Sequence, residues 1–399
     1  MRHETKIEKL NFFIYFYFYM RILFVGNSGP VFLTHRLPLV LATLKAGHEV
    51  HVALPPSPVS QQIASYDYVY HEISLSRSSI NPFTEIRSLV YLYFLYRKIK
   101  PDLIHHVTMK PVLYGSLAAY LAKIPAVANT LSGLGYVFTT QNLKAKFLCI
   151  LVKFIFRVSF LHPNNRVIFQ NPENLSAFVS FGLIRKENVV LIKGSGVDTD
   201  IFNDSPEPDA IPVVMVASRM LLDKGIVEFV NAARIVQSKS IKARFVLVGG
   251  IDLENPMSIK NSQLNKWVDE GIIEWWGNQE NMPKTFSQAH IVSLPSYAEG
   301  LPKVLIEALS CGRPIVTTNV SGCKETVRDG ENGFLVPVKN SRALADAFIK
   351  LISNKQLRQR MGNAGRKMAI KEFSIQIVIE QTFAVYQDLL KPLKMQPLP

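Results

Sequence analysis

Short unbroken apolar runs alternate along this chain with longer stretches in which apolar residues recur every three or four positions. Met20-Arg-Ile-Leu-Phe-Val-Gly26 is a run of the first kind, and it ends in Asn27-Ser-Gly29-Pro30. His35, Leu37, Val40, Leu41 and Leu44 follow at helical spacing and stop at Lys45-Ala-Gly47-His48, before a second run over Glu49–Leu54. Strand, glycine-bearing loop, helix, glycine stop and strand make one βαβ unit of a parallel sheet. Further strand-like runs stand at residues 102–106, 126–129 and 166–169, each far enough from the next to leave room for a helix. Residues 204–212 are polar and broken by proline, and they read as an interdomain linker. A second alternating series opens at residues 213–218 and continues through 243–250, 273–277, 291–294 and 314–317, before a helical region from Ser341 to about Leu390. The pattern predicts an α/β protein with two Rossmann-like, doubly wound domains facing each other across a cleft. Their bounds are 20–203 and 213–375, with a C-terminal helix and tail over 376–399.

The first nineteen residues fall outside this scheme. Asn11-Phe-Phe-Ile-Tyr-Phe-Tyr-Phe-Tyr-Met20 is too short to span a bilayer and carries no small-residue cleavage site. It reads either as an upstream extension before a start at Met20 or as an interfacial segment rich in Tyr and Phe.

Composition narrows the class. With 48% hydrophobic and 19% charged residues, the chain can bury large cores and is not globally disordered. Cys149, Cys311 and Cys323 have no paired spacing, which argues against a disulfide framework or a structural zinc and for a reducing compartment. Of the net charge of +14, about +10 lies before residue 200. No nucleic-acid-binding motif accompanies the basic residues, so nucleic acid is not expected as a partner. They are interleaved with apolar runs, in residues 89–100 and again in 141–157, which points instead to an anionic membrane surface.

The chemistry concentrates in Pro295-Ser-Tyr-Ala-Glu299-Gly300-Leu301-Pro302-Lys-Val-Leu-Ile-Glu307. Glu299 sits in the loop leaving a predicted strand and Glu307 inside the next helix. In an open parallel sheet, ligands bind beyond the carboxyl ends of the strands. Two acids eight apart are otherwise ordinary surface charges, so the surrounding string carries the weight. That string continues through Ala308-Leu-Ser-Cys-Gly312-Arg-Pro314, Ser321-Gly322-Cys-Lys-Glu325 and Asp329-Gly330-Glu-Asn-Gly333. It resembles the E-x7-E region of family-4 retaining glycosyltransferases, and the similarity runs from about Arg21 to the end of the chain.

The resemblance implies the GT-B fold and a set of roles. Arg219 and Lys224, in Ser218-Arg219-Met-Leu-Leu-Asp-Lys224-Gly225, match the family's clamp on the nucleotide diphosphate. Glu307 would hold the ribose hydroxyls and Glu299 would approach the donor sugar. Gly300, Leu301 and Pro302 would present backbone to the diphosphate, with Gly249 and Gly250 passing close to the nucleotide. Trp276-Gly277-Asn278 is a candidate for base stacking, beside the alternative of a core tryptophan. Gly29 would touch phosphate or acceptor. The family's sugar-contacting histidine is missing from Asn129-Thr-Leu-Ser132-Gly133-Leu-Gly135; Ser132 stands nearest its place, and His105 or His106 could substitute unless they are core histidines. No metal or other cofactor is expected, because the cationic pair serves the leaving group. Asp198-Thr-Asp200 formally spells D-x-D but reads as structural.

Residues 76–83 also resemble bacterial transferases that extend undecaprenyl-diphosphate-linked sugars, several of which use UDP-N-acetylgalactosamine or related donors. The expectation is therefore transfer of a hexose or N-acetylhexosamine from a UDP-sugar to a lipid-linked saccharide, peripherally on the inner face of the cytoplasmic membrane. The rivals are a UDP-sugar 2-epimerase on the same fold and a silent nucleotide-sugar-binding partner.

Overall fold

The computed structural model describes residues 19–75, 81–131, 152–253 and 255–394. Most of the aromatic run, residues 76–80, Ser132 with its glycine string, and residues 141–151 lie outside the described residues. The chain divides into two compact units, one of Met1–Ile192 with Ile379–Pro399 and the other of Lys193–Val378.

The first unit is built on a seven-stranded sheet: β1 (Arg21–Val25), β2 (Glu49–Leu54), β3 (Val69–Glu72), β4 (Leu103–Val107), β5 (Ala126–Leu131), β6 (Asn165–Phe169) and β7 (Val189–Leu191). Its order is β3-β2-β1-β4-β5-β6-β7, and the pairings are parallel, with Ile22 opposite both Val50 and Leu103. Strands covered on both faces favour apolar side chains along their length. β4 and β5 are buried throughout, with His105 hydrogen-bonded to Thr130 and His106 to Asn129 among the apolar residues. The last helix, Ile375–Lys394, closes this unit. The Tyr386 hydroxyl meets His105 Nδ1 at 2.5 Å, Arg166 pairs with Asp388 at 2.6 Å, and Asn164 donates to the Leu389 carbonyl at 2.7 Å.

The second unit holds six strands: β8 (Val213–Ala217), β9 (Arg244–Val248), β10 (Glu274–Trp275), β11 (Ile291–Leu294), β12 (Ile315–Thr318) and β13 (Gly333–Val336). Their order is β10-β9-β8-β11-β12-β13, again parallel. The helix Ile226–Ser238 buries Ile226, Phe229, Val230, Ala233 and Val236 along one stripe. There Phe229, Phe245 and Phe348 pack with ring centroids 5.6–5.9 Å apart. The proline-broken stretch expected as a linker lies inside this unit. Glu207 forms an ion pair with buried Arg358, and Ser205 accepts from Arg313 at 2.8 Å. The chain passes between units earlier, at Ile192–Lys193, and again at Val378–Ile379.

Candidate active site

Each sheet reverses its direction of growth once, between β1 and β4 in the first unit and between β8 and β11 in the second. A crevice opens at such a switch point, beyond the carboxyl ends of the two strands. In the second unit the loops leaving β8 and β11 meet there. Tyr297 N–H donates to the Asp223 carbonyl at 2.8 Å, and the Ser296 hydroxyl donates to the same oxygen at 3.1 Å. Gly225 makes this approach possible. Its φ is +71°, and a Cβ there would stand 2.1 Å from the Pro295 carbonyl oxygen.

These contacts place Lys224 Nζ 2.5 Å from Glu299 Oε1, joining two residues 75 positions apart. Arg219, from the same β8 loop, reaches Asp252 Oδ2 at 2.5 Å. Asp252 follows the β9 glycines, which are themselves tied into the edge. Gly249 N–H donates to the Gly277 carbonyl at 2.7 Å, and Met220 N–H to that of Gly250 at 3.0 Å. At Gly249, φ is +127° and a Cβ would fall 1.9 Å from the Ser218 oxygen, so this crossing admits only glycine. Arg219, Lys224, Gly249, Gly250 and Glu299 thus share one edge of one sheet.

Gly300, Leu301 and Pro302 lead from Glu299 into the helix Lys303–Ser310. Gly322 packs on this turn, where a Cβ would meet the Gly300 oxygen at 2.3 Å. Leu301 is buried against the core, so the turn offers ligands its backbone rather than that side chain. Glu307, on the helix, is almost wholly buried. Burial pushes its carboxyl up to about 7, against the opposing pull of Lys303, 3.7 Å away.

The first unit treats its expected site residues differently. A Cβ on Gly29 would lie 2.3 Å from Ser57 Oγ, so its small size serves packing against the loop after β2. His106 does not reach a substrate site. Its Nε2 contacts the Tyr96 hydroxyl and its Nδ1 the Asn129 side-chain oxygen, each at 2.9 Å, and burial pushes it down to about 3. His105 is likewise engaged on both nitrogens, by Tyr386 and by Thr130 at 2.7 Å. Both are neutral core histidines, fully enclosed on a strand covered on both faces. Asp198 Oδ1 accepts the N–H groups of Asp200 and Ile201 at 3.0 Å, which makes the D-x-D string a turn cap.

Three site-edge partners escaped the reading of the sequence: Asp252, and the Tyr297–Glu228 pair at 2.7 Å beside the β8 loop. A carboxylate two residues beyond the Gly249-Gly250 strand end was the available signal for the first. Trp276 donates its indole N–H to Glu274 at 3.0 Å and packs on the core, with Asn278 against Gly250.

Two doubly wound units, the second gathering a basic pair and an E-x7-E turn at its switch point, define a GT-B glycosyltransferase. The comparisons agree. A model described as "Glycosyl transferases group 1" matches residues 197–368, and one described as "Glycosyl transferase 4-like" matches 21–171. The chain is 28% identical over 386 residues to the N,N'-diacetylbacillosaminyl-diphospho-undecaprenol alpha-1,3-N-acetylgalactosaminyltransferase of Campylobacter jejuni, covering 93% of this chain and 100% of that one. It is 24% identical over 329 residues to the UDP-Gal:alpha-D-GlcNAc-diphosphoundecaprenol alpha-1,3-galactosyltransferase of Escherichia coli, covering 78% and 82%. A solved glycosyltransferase from Rickettsia africae superposes with a TM-score of 0.76 at 19% identity, over 94% of this chain and 100% of that one, a likeness of fold. The chain is a glycosyltransferase, its first unit matching the 4-like family and its second the group 1 family.

Proposed function

We propose that this glycosyltransferase moves a hexose or N-acetylhexosamine, with retention of configuration, from a UDP-sugar to a saccharide carried on a lipid diphosphate. The setting is assembly of a bacterial surface polysaccharide at the inner face of the cytoplasmic membrane. The observation that carries this reading is the convergence of Arg219, Lys224 and Glu299 at the β8–β11 switch point. Departure of a nucleoside diphosphate builds negative charge on the leaving oxygens, and fixed cations beside that charge lower the barrier. Lys224 and Arg219 supply them. Each cation is held by a carboxylate, Lys224 by Glu299 and Arg219 by Asp252, and the diphosphate takes the place of these carboxylates.

Glu307 accepts from the ribose hydroxyls as a carboxylate. Glu299, released from Lys224, turns to the donor sugar, and backbone N–H groups at Gly300 and Gly249–Gly250 approach the phosphates. Attack comes from the face the diphosphate leaves, and the departing phosphate oxygen takes the acceptor's proton. With two protein cations in place, transfer proceeds without a divalent metal. The lipid diphosphate extends to this chain what the names of both relatives state for theirs, and the UDP donor what the name of the Escherichia coli relative states. Titration calorimetry in EDTA tests the donor half: UDP binds, GDP and dTDP bind more weakly, and Lys224→Ala weakens UDP. Equal binding of all three, or none without added metal, would defeat it.

A further inference from the structure

The helix Pro82–Ile99 turns an unusual face to solvent. Asn81 caps it by accepting from Phe83 N–H at 3.0 Å, Pro82 stands in its first turn, and Lys100, at φ +50°, ends it. Ser88, Leu92, Leu95, Tyr96 and Ile99 bury its inner side. The outer side carries Phe83, Ile86, Val90, Tyr91 and Phe94, with Phe83 84% and Phe94 64% exposed. These positions recur at three- and four-residue steps and form one stripe along a rod of about 27 Å. Arg87, Arg97 and Lys98 are exposed on the same side. The helix's one acidic residue, Glu85, is instead turned to Lys110 at 2.7 Å.

An apolar, aromatic stripe edged by cations and lacking exposed acids suits one kind of surface, the headgroup boundary of an anionic bilayer. A protein partner of ordinary mixed charge would meet no acid on the helix to pair with. The distribution across the chain agrees: among the described residues, every exposed large aromatic belongs to the first unit and none to the second. No helix among the described residues is long and apolar enough to cross a membrane, so this face would lie on the surface rather than span it. A groove of ≈ 580 Å³ runs beside it against β3, lined by Tyr70, His71, Val90 and Lys98, with Glu72 its single acid. The Glu85–Lys110 pair also fixes the first turn next to the segment leaving β4, at the carboxyl edge of the first sheet.

We infer that the exposed face of Pro82–Ile99 is the surface by which this protein docks on anionic phospholipid, seating the carboxyl edge of its first unit at the bilayer. The docking face stands on the stripe itself; the benefit to a lipid-borne acceptor rests on the function proposed above. The test is flotation of the full chain with vesicles of phosphatidylethanolamine and phosphatidylglycerol, and with vesicles of phosphatidylcholine alone. The chain floats with the first and far less with the second. Arg87→Gln/Arg97→Gln/Lys98→Gln loses about 10²-fold in partitioning, and Phe83→Ser/Phe94→Ser loses binding to both. Each variant melts like the parent and keeps its transfer to a detergent-dispersed acceptor, while transfer to the same acceptor in vesicles falls. Flotation of either variant equal to the parent would overturn the inference, since residues 1–18 are common to all three. So would a parent that does not float. A dimer in sedimentation equilibrium that both variants dissolve, with flotation unchanged, would assign the face to a second copy instead. Failure of the parent to transfer to either acceptor would count against the acceptor reading, and flotation would still decide the face.

Discussion

Lys224 and Arg219 are the residues on which chemistry should depend most. Removing a donor that stabilises developing charge costs about 10²–10³-fold in rate, so Lys224→Ala should lower kcat by that much in a steady-state assay. Asp252 pairs with Arg219, so on the proposed reading it competes with phosphate for that cation. The pair is exposed and such pairs are weak, so Asp252→Asn should tighten UDP by no more than about fivefold in calorimetry. Glu307 brings pH into the site. Its carboxyl is raised from 4.5 to about 7 by burial, so between those values the folded chain holds a proton that the unfolded chain has released. Stability from this group is therefore complete below 4.5 and lost as pH rises through about 7. If the ribose hydroxyls bind the carboxylate, as proposed, UDP binding near pH 6 should release a proton. The measurement is binding heat in buffers of different ionisation enthalpy, and Glu307→Gln should remove the buffer dependence.

At the scale of elements, the strands were readable because doubly covered parallel strands demand unbroken apolar runs, as at β1 and β8. The same property hid the role of His106. Where both faces of a strand are buried, alternation gives no direction, and a core histidine looks like one aimed at a ligand. The partners of Lys224 and Arg219 were out of reach for another reason. Loops from β8, β9 and β11 meet only after the sheet reverses, an event that spacing along the chain does not encode. The Gly-Gly strand end was visible, but its cause is steric and belongs to the fold: Gly249 passes under the Ser218 carbonyl. Gly249→Ala should therefore destabilise the protein by more than about 1 kcal/mol in denaturant unfolding and weaken UDP with it.

Across the whole molecule, the two series of alternating elements were legible, and so was a C-terminal helical region packing on both domains, whereas the contacts that bring the last helix back to the first unit were not. That return depends on His105 and Tyr386, 281 residues apart, which no local pattern links. The charge imbalance falls on the unit that also exposes its aromatics, and the cationic pair falls on the other. On the proposals above, donor chemistry and membrane contact fall to separate units. UDP should accordingly slow hydrogen exchange in residues 218–225, 249–252 and 296–303, and leave the strands of the first sheet unchanged. The central claim is transfer itself. Incubating the full chain with UDP-, GDP- and dTDP-sugars, a short lipid-diphosphate saccharide and EDTA, and reading products by mass spectrometry, tests it most directly. A gain of one hexose or N-acetylhexosamine on the lipid from a UDP donor is the expected result. Conversion of the free UDP-sugar with the lipid unchanged would contradict it, making the protein an epimerase.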